Sequence, residues 1–373
     1  MGIIKETVKE GLVGKKAVIV SFKKKNYYET NGSVQELELL ALTLRLKIFK
    51  TFIVKADIIN PATYIGKGKL QELKEFGEQN DISLFIFEEE LSPVQQRNLE
   101  NILNKEVIDR TGLILQIFAE HARSSEGKIQ VELAQLNYLL PRLTGHGIFL
   151  SRLGGGLGTR GPGEMKLEVY RRRIKERIYH LNKKIQEIEK HREVLRSSRE
   201  RKNYFVVSLL GYTNVGKSTL LNSLSSKKDI YSADYLFSTL DPTSRAVYLG
   251  DGKYCLMIDT VGLLHKLPHH LIAAFKATLE EAIFSNLLIC MYDISSLYIE
   301  RQIETTYEVR KLLKIEEKPY IEVFNKVDLI SLEEKEFLKK RFPNGIFISA
   351  STGEGLQILK DKIKRILYGN ETS

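Results

Sequence analysis

The chain has 373 residues, 43% hydrophobic and 28% charged, and a formal net charge of +10. That balance describes a soluble globular protein of two or three domains and excludes a disordered or collagen-like chain. No apolar run approaches the ~20 residues that a bilayer span requires, and the first dozen residues lack the apolar block of a signal peptide.

Lys16–Phe22 (KAVIVSF) predicts a strand, Val34–Leu46 a helix, Phe49–Ala56 a strand, Gly66–Gln79 a helix, Leu84–Phe87 a strand, Pro93–Leu103 a helix and Val107–Asp109 a short strand. Alternation of this kind implies parallel β-α-β units with right-handed crossovers, an α/β subdomain over residues 1–111. From residue 112 the texture changes. Ile129, Leu133, Leu136, Leu140 and Leu143 recur at intervals of 4, 3, 4 and 3. After a glycine-rich stretch, residues 144–163, the same period returns in Leu167, Tyr170, Ile174, Ile178, Leu181, Ile185, Ile188 and Leu195. Two such seams joined by a loop predict a long antiparallel helical hairpin over residues 112–202. At ~1.5 Å per residue its second helix is nearly 60 Å long. The remainder, 203–373, opens on the apolar run Tyr204–Leu210 and is again α/β. Cys255 and Cys290 both lie in apolar runs and read as buried thiols of a reducing, cytoplasmic setting, not as a disulfide or metal framework.

Most of the net charge sits on the hairpin's second helix. Residues 165–202 hold 14 Lys and Arg against 6 Glu, including Arg171-Arg172-Arg173. Such a run can be only a solvated helix face. Its concentration on one stiff rod, beside a glycine loop carrying Arg152 and Arg160, is also the electrostatic footprint of a phosphate-backbone binder.

Gly211-Tyr212-Thr213-Asn214-Val215-Gly216-Lys217-Ser218 follows the apolar run, and a helical pattern from Thr219 to Leu224 follows it. This is a phosphate-binding loop in its strand–loop–helix setting. The glycines let backbone N–H groups face the phosphates and the helix start favours negative charge. Lys217 is expected at the β- and γ-phosphates and Ser218 on Mg²⁺. Asn325-Lys326-Val327-Asp328, after the apolar run Tyr320–Phe324, selects guanine. The Asp328 carboxylate accepts from both N1–H and the exocyclic amine, groups that adenine cannot offer in that pattern. Asn325 is read as its brace, and Ser349-Ala350-Ser351 as backing for the base. Between these motifs, Asp259-Thr260-Val261-Gly262 places a carboxylate near Mg²⁺ through water and a glycine amide at the γ-phosphate. Phe237-Ser238-Thr239-Leu240-Asp241 supplies a candidate switch threonine, Thr239, closing on Mg²⁺. Lys217, Thr239 and Gly262 are the catalytic candidates. The order of motifs is that of a Ras-like P-loop GTPase domain.

GYTNVGKST, FSTLDPTSR and DTVG, with YIGKGKL (64–70), ELSPVQQRNLE (90–100), KIQVELAQLNYLLPRL (128–143) and GGGLGTRGPGE (155–164), resemble the HflX branch of translation GTPases over nearly the whole chain. Met165-Lys166 and Gln116 depart from that family's pattern. A monomeric cytoplasmic GTPase, without a membrane partner, that uses GTP and Mg²⁺ is expected, and the resemblance implies GTP hydrolysis. It implies binding to the large ribosomal subunit and its rRNA, and separation or rescue of idle or stalled ribosomes. The hairpin loop with Arg152 and Arg160 then probes near the peptidyl-transferase centre. A GTP-regulated scaffold for another protein or a non-ribosomal RNA is the rival, because the GTPase motifs specify only the switch.

Leu263 stands where Ras-type sites carry the water-orienting glutamine, so slow hydrolysis by the free protein and acceleration by a partner are expected. His265, His269 and His270 read as exposed switch residues rather than a metal site, and Gly66-Lys67-Gly68-Lys69 is a weak second phosphate-loop signal.

Overall fold

The computed structural model describes residues 12–24, 27–55, 59–143, 162–201, 204–225, 242–264 and 276–369. The chain divides into two compact units, one comprising 1–120 and 129–185, the other 121–128 and 186–373.

The first unit carries a four-stranded, wholly parallel sheet of order β2-β1-β3-β4. Its strands are β1 (Lys16–Phe22), β2 (Lys47–Val54), β3 (Leu84–Phe87) and β4 (Glu106–Asp109), with helices α1 (Tyr27–Thr43), α2 (Lys67–Gln79) and α3 (Pro93–Leu103) between them. The two central strands read as unbroken apolar runs because both faces are covered, and Ala17–Val20 and Leu84–Phe87 are buried throughout. Helix α3 starts where Ser92 and Gln95 cap each other's backbone and Pro93 occupies the first turn. Helix α1 begins at Tyr27, earlier than the expected Val34, and β2 runs two residues ahead of its expected span.

Helices α4 (Arg110–His121), α5 (Ser125–Arg142) and α6 (Pro162–Arg201) follow. The anticipated seam is present. Leu136 and Leu143 of the α5 arm pack with Ile174 and Leu181 of α6, flanked by Ile129, Leu133, Leu140, Leu167, Tyr170 and Ile178. Glu132 accepts two hydrogen bonds of 2.7 Å from the Arg177 guanidinium, a fork that fixes the register of the pair. At its base Arg142 stacks on Tyr138 and donates to Asp109 at 3.1 Å and to the Leu91 carbonyl at 2.8 Å. Asp109 is fully buried and also accepts from the Tyr138 hydroxyl at 2.8 Å.

The second unit holds a six-stranded sheet of order β10-β9-β8-β5-β7-β6. Its strands are β5 (Val206–Gly211), β6 (Thr243–Gly250), β7 (Lys253–Asp259), β8 (Leu287–Asp293), β9 (Tyr320–Asn325) and β10 (Ile346–Phe347). All neighbours are parallel except the β6–β7 hairpin. Helices α7 (Lys217–Leu224) and α11 (Leu356–Tyr368) cover one face, and α8 (Lys276–Phe284) and α9 (Ile299–Leu312) the other; α10 (Leu332–Arg341) lies between β9 and β10 in the chain. Cys255 and Cys290 are buried free thiols in β7 and β8, and burial pushes each up to about 12. No helix among the described residues is long and apolar enough to cross a membrane.

Candidate nucleotide site

Strand β5 is buried along its whole length and delivers the chain to a loop at its C-terminal end, where open α/β sheets bind ligands. Gly211 closes the strand against β8, and a Cβ there would lie 2.4 Å from the Met291 carbonyl oxygen. The loop turns through Asn214 (φ 60°) and Gly216 (φ 93°), the latter immediately before α7. Left-handed backbone at Gly216 is natural only for glycine, and a Cβ there would meet the Asn325 side-chain nitrogen at 2.3 Å. Tyr212 and Gly216 are half-buried, Thr213 and Val215 buried, and Asn214 exposed.

Lys217, Ser218 and the half-buried Thr219 open α7. The Lys217 ammonium is buried and donates to the carbonyls of Gly211 at 3.1 Å and Tyr212 at 2.9 Å. Burial lowers it to about 8, against the opposing pull of the Asp259 carboxylate. The Ser218 hydroxyl donates to Asp259 Oδ2 at 2.6 Å. Asp259 ends β7 and is fully buried. A hydroxyl and a carboxylate at that separation are hard oxygen donors that fit Mg²⁺, which takes one or two protein oxygens beside substrate phosphates. The described residues contain no cluster of three or more His, Cys, Asp or Glu, so no rival all-protein cage exists among them.

The segment after Asp259 is laced to the phosphate loop. Thr260 Oγ1 donates to the Leu209 carbonyl at 2.6 Å, Leu263 N–H to Gly211 O at 3.0 Å, and Thr213 N–H to Leu263 O at 2.8 Å. Val261 is buried, and Gly262 is held so closely that a Cβ would lie 2.6 Å from Thr213 Cγ2 and 2.8 Å from its Cα. Leu263 and Leu264 are both turned inward, 0% and 1% exposed. Leu263 thus packs as structure and presents no hydrogen-bonding side chain.

On the guanine side, Asn325 ends β9 and bridges two loops rather than bracing Asp328 directly. Its Nδ2 donates to the Val215 carbonyl at 2.8 Å, and its Oδ1 accepts from the Ala350 N–H at 2.9 Å. Lys326 sits at φ 68° with its ammonium 2.7 Å from Asp293 Oδ2. Buried Val327 donates to the Ile348 carbonyl, leaving Asp328 exposed with Ser351 Oγ 3.5 Å from its carboxylate. Ser349 Oγ is 3.0 Å from Ser351 Oγ, and Ser223 of α7 donates to the Ala350 carbonyl at 2.6 Å. The fold therefore gathers Gly211–Thr219, Asp259–Gly262, Asn325–Asp328 and Ser349–Ser351 at one end of the sheet.

Phe237, Ser238, Thr239, Leu240, Asp241, Arg152, Arg160, His265, His269 and His270 lie outside the described residues. Arg171, Arg172 and Arg173 are on α6; Arg172 and Arg173 are exposed, and Arg172 is 3.8 Å from Glu176. Gly66 and Gly68 stand in the open with nothing near their absent Cβ positions, so no close backbone approach explains them. Two features had no sequence signal: the double bridge made by Asn325 and the Lys326–Asp293 pair, whose partners are distant in sequence.

Residues 31–119, 121–199 and 206–326 match families described as GTP-binding GTPase N-terminal, GTP-binding GTPase Middle Region and 50S ribosome-binding GTPase. The chain is 47% identical over 340 residues to the GTPase HflX of Caldanaerobacter subterraneus subsp. tengcongensis, covering 91% of this chain and 78% of that protein. The chain belongs to the HflX family. Within it, identity to the Escherichia coli GTPase HflX is 40% over 338 residues, 90% of this chain and 79% of that one. As an HflX-family GTPase it binds GTP and GDP and hydrolyses GTP. A crystal structure of SsGBP in complex with GDP has 28% sequence identity and a TM-score of 0.52, covering 95% of this chain and 99% of that one.

Proposed function

We propose that this HflX-family GTPase is a nucleotide-switched factor that binds the large ribosomal subunit and its rRNA, and promotes dissociation or rescue of idle or stalled ribosomes. The observation that carries the reading is an exposed arginine pair on a 40-residue helix, in a chain whose GTPase domain matches a family described as 50S ribosome-binding. In this reading the segments divide the work. Residues 1–111 and the hairpin 112–202, with its loop 144–163, meet RNA, and residues 203–373 hold the switch.

On nucleotide binding, Lys217 exchanges its two loop carbonyls for β- and γ-phosphate oxygens, and the N–H groups at the start of α7 close around them. Ser218 and Thr239 would hold Mg²⁺, with Asp259 reaching it through water; when bound, the ion would neutralise charge on the phosphate oxygens. Gly262 N–H reads the γ-phosphate, and Asp328, backed by Ser349, Ala350 and Ser351, reads guanine. Leu263 cannot orient the attacking water, so the free protein turns over slowly and the subunit completes the site. Activation of that kind is worth about 10³–10⁵ in rate.

The test is co-sedimentation with purified large subunits in a non-hydrolysable GTP analogue and in GDP, together with GTP turnover with and without subunits. Binding in the analogue only, with faster turnover on subunits, is expected. Equal binding in both nucleotides, or equal turnover, overturns the reading.

A further inference from the structure

Strands β8 and β9 end side by side, and their register sets Asp293 opposite Asn325. The turn toward the base begins at the next residue. Lys326 adopts φ 68° and ψ 37°, and one turn of 3₁₀ helix, Val327–Leu329, then carries Asp328. Left-handed backbone at a residue with a Cβ persists only where its surroundings over-determine it. Two backbone bonds flank the turn. Ile294 N–H donates to the Asn325 carbonyl at 3.0 Å, and Leu329 N–H to the Lys326 carbonyl at 3.1 Å. Among the described residues the Lys326 side chain has one partner, the Asp293 carboxylate at 2.7 Å.

Asp293 is itself held rigidly. Its Oδ1 accepts from the Ser295 N–H at 3.0 Å and the Ser295 hydroxyl at 2.6 Å, which leaves Oδ2 for the ammonium. Its own N–H donates to the Gln302 amide oxygen at 2.9 Å, and Gln302 is buried near the start of α9. The Asp293 and Lys326 side chains are 15% and 24% exposed, so this is not the freely solvated ion pair that contributes little. Asp328 differs. It is exposed, has no ion pair among the described residues, and has Ser351 Oγ 3.5 Å from its carboxylate. An ammonium two residues away, once unpaired, is drawn to that carboxylate. A carboxylate occupied by an ammonium has fewer acceptor sites for the N1–H and amine of a base.

We propose that Asp293 is a positioning residue for guanine selection. It fixes the left-handed turn at Lys326 and draws the ammonium away from Asp328, so that the Asp328 carboxylate stands open before nucleotide arrives. The inference rests on the reading of Asp328 as the group that meets guanine.

Fluorescent GDP bound to the full chain, competed by unlabelled GDP and by inosine diphosphate, which lacks the exocyclic amine, measures the preference for guanine. Asp293→Asn is nearly isosteric and keeps an acceptor for Ser295. Asp293→Asn and Asp293→Ala should each lower GDP affinity about tenfold and inosine diphosphate affinity less than about threefold, the weight of one charge-assisted hydrogen bond. In the Lys326→Met background, Asp293→Asn should cost less than about twofold further, because Asp293 acts through the ammonium. A lower urea midpoint with an unchanged preference would make Asp293 structural only and overturn the proposal, as would equal losses in both backgrounds. Asp328→Asn separates the two readings. If it abolishes the preference while Asp293→Asn leaves it intact, guanine reading by Asp328 stands and the positioning role falls. If Asp328→Asn leaves the preference intact, both fall.

Discussion

Asn325→Ala cuts both ties between the phosphate loop and the Ser349–Ser351 loop at once. The substitution leaves the Val215 carbonyl and the Ala350 N–H without the partners they hold at 2.8 and 2.9 Å, in residues only 1% and 2% exposed. A buried backbone group stripped of its partner costs about 1–3 kcal/mol, so the pair costs about 2–6 kcal/mol. Because Gly216 is packed directly on the Asn325 amide, the void also frees the loop's turn into α7. Each 1.4 kcal/mol drawn from the binding-competent population is about tenfold in affinity, so GDP affinity should fall by at least about 30-fold. Fluorescent-GDP titration measures the affinity and urea unfolding the stability. Asn325→Asp is the informative control. It keeps the acceptor for Ala350 but sets a carboxylate against the Val215 carbonyl, and should bind no better than the alanine variant. GDP binding by Asn325→Ala within threefold of the parent, with an unchanged urea midpoint, would refute the bridge as the device that joins phosphate and base recognition.

Lys217, held down at about 8 by burial, is charged at neutral pH and loses its proton as pH rises past that value. A phosphate-bound ammonium stays charged, so binding takes up a proton above pH 8 and GDP affinity should fall by up to about tenfold per pH unit toward pH 10. Calorimetry in buffers of different ionisation enthalpy reads that uptake, and a flat affinity profile would contradict it. The nucleotide-free fold should gain stability over the same window, since the unfolded lysine binds the proton more tightly. Gly262→Ala forces a methyl against Thr213 Cα at 2.8 Å, and the ensuing misplacement of about an ångström should slow GTP hydrolysis about 100-fold in a phosphate-release assay. Arg171, Arg172 and Arg173 changed together to Glu should weaken RNA association and flatten its dependence on salt; an unaltered salt slope would return these residues to a solvated face. Ile174→Ala, at a position 1% exposed in the hairpin seam, should cost about 2–5 kcal/mol by urea unfolding without changing GDP affinity.

The strands and the nucleotide motifs were legible because their signals are local. Lys16–Phe22, Leu84–Phe87 and Pro93–Leu103 form over the spans their apolar runs and caps predict. Where tertiary contacts decide, the reading slipped. The helix expected from Val34 begins at Tyr27 instead, and α1 runs through Asn31-Gly32-Ser33 with Thr30 and Ser33 buried. The motifs told which residue types meet phosphate and guanine, but not that Asn325 ties Val215 to Ala350, since those partners are 110 and 25 residues away. The cluster of Asp109, Tyr138 and Arg142 was equally silent, with its members joined only once β4 and α5 are packed.

The two buried thiols give the molecule an internal clock. With each thiol near 12, only about one in 10⁵ is thiolate at neutral pH, and Cys255 and Cys290 lie on the strands either side of β5. An alkylating reagent therefore reaches them only when the sheet that supports the nucleotide parts. Ligand at 100 times its dissociation constant makes that opening about 100-fold rarer. The rate of native labelling becomes a direct gauge of how firmly each guanine nucleotide holds the core shut.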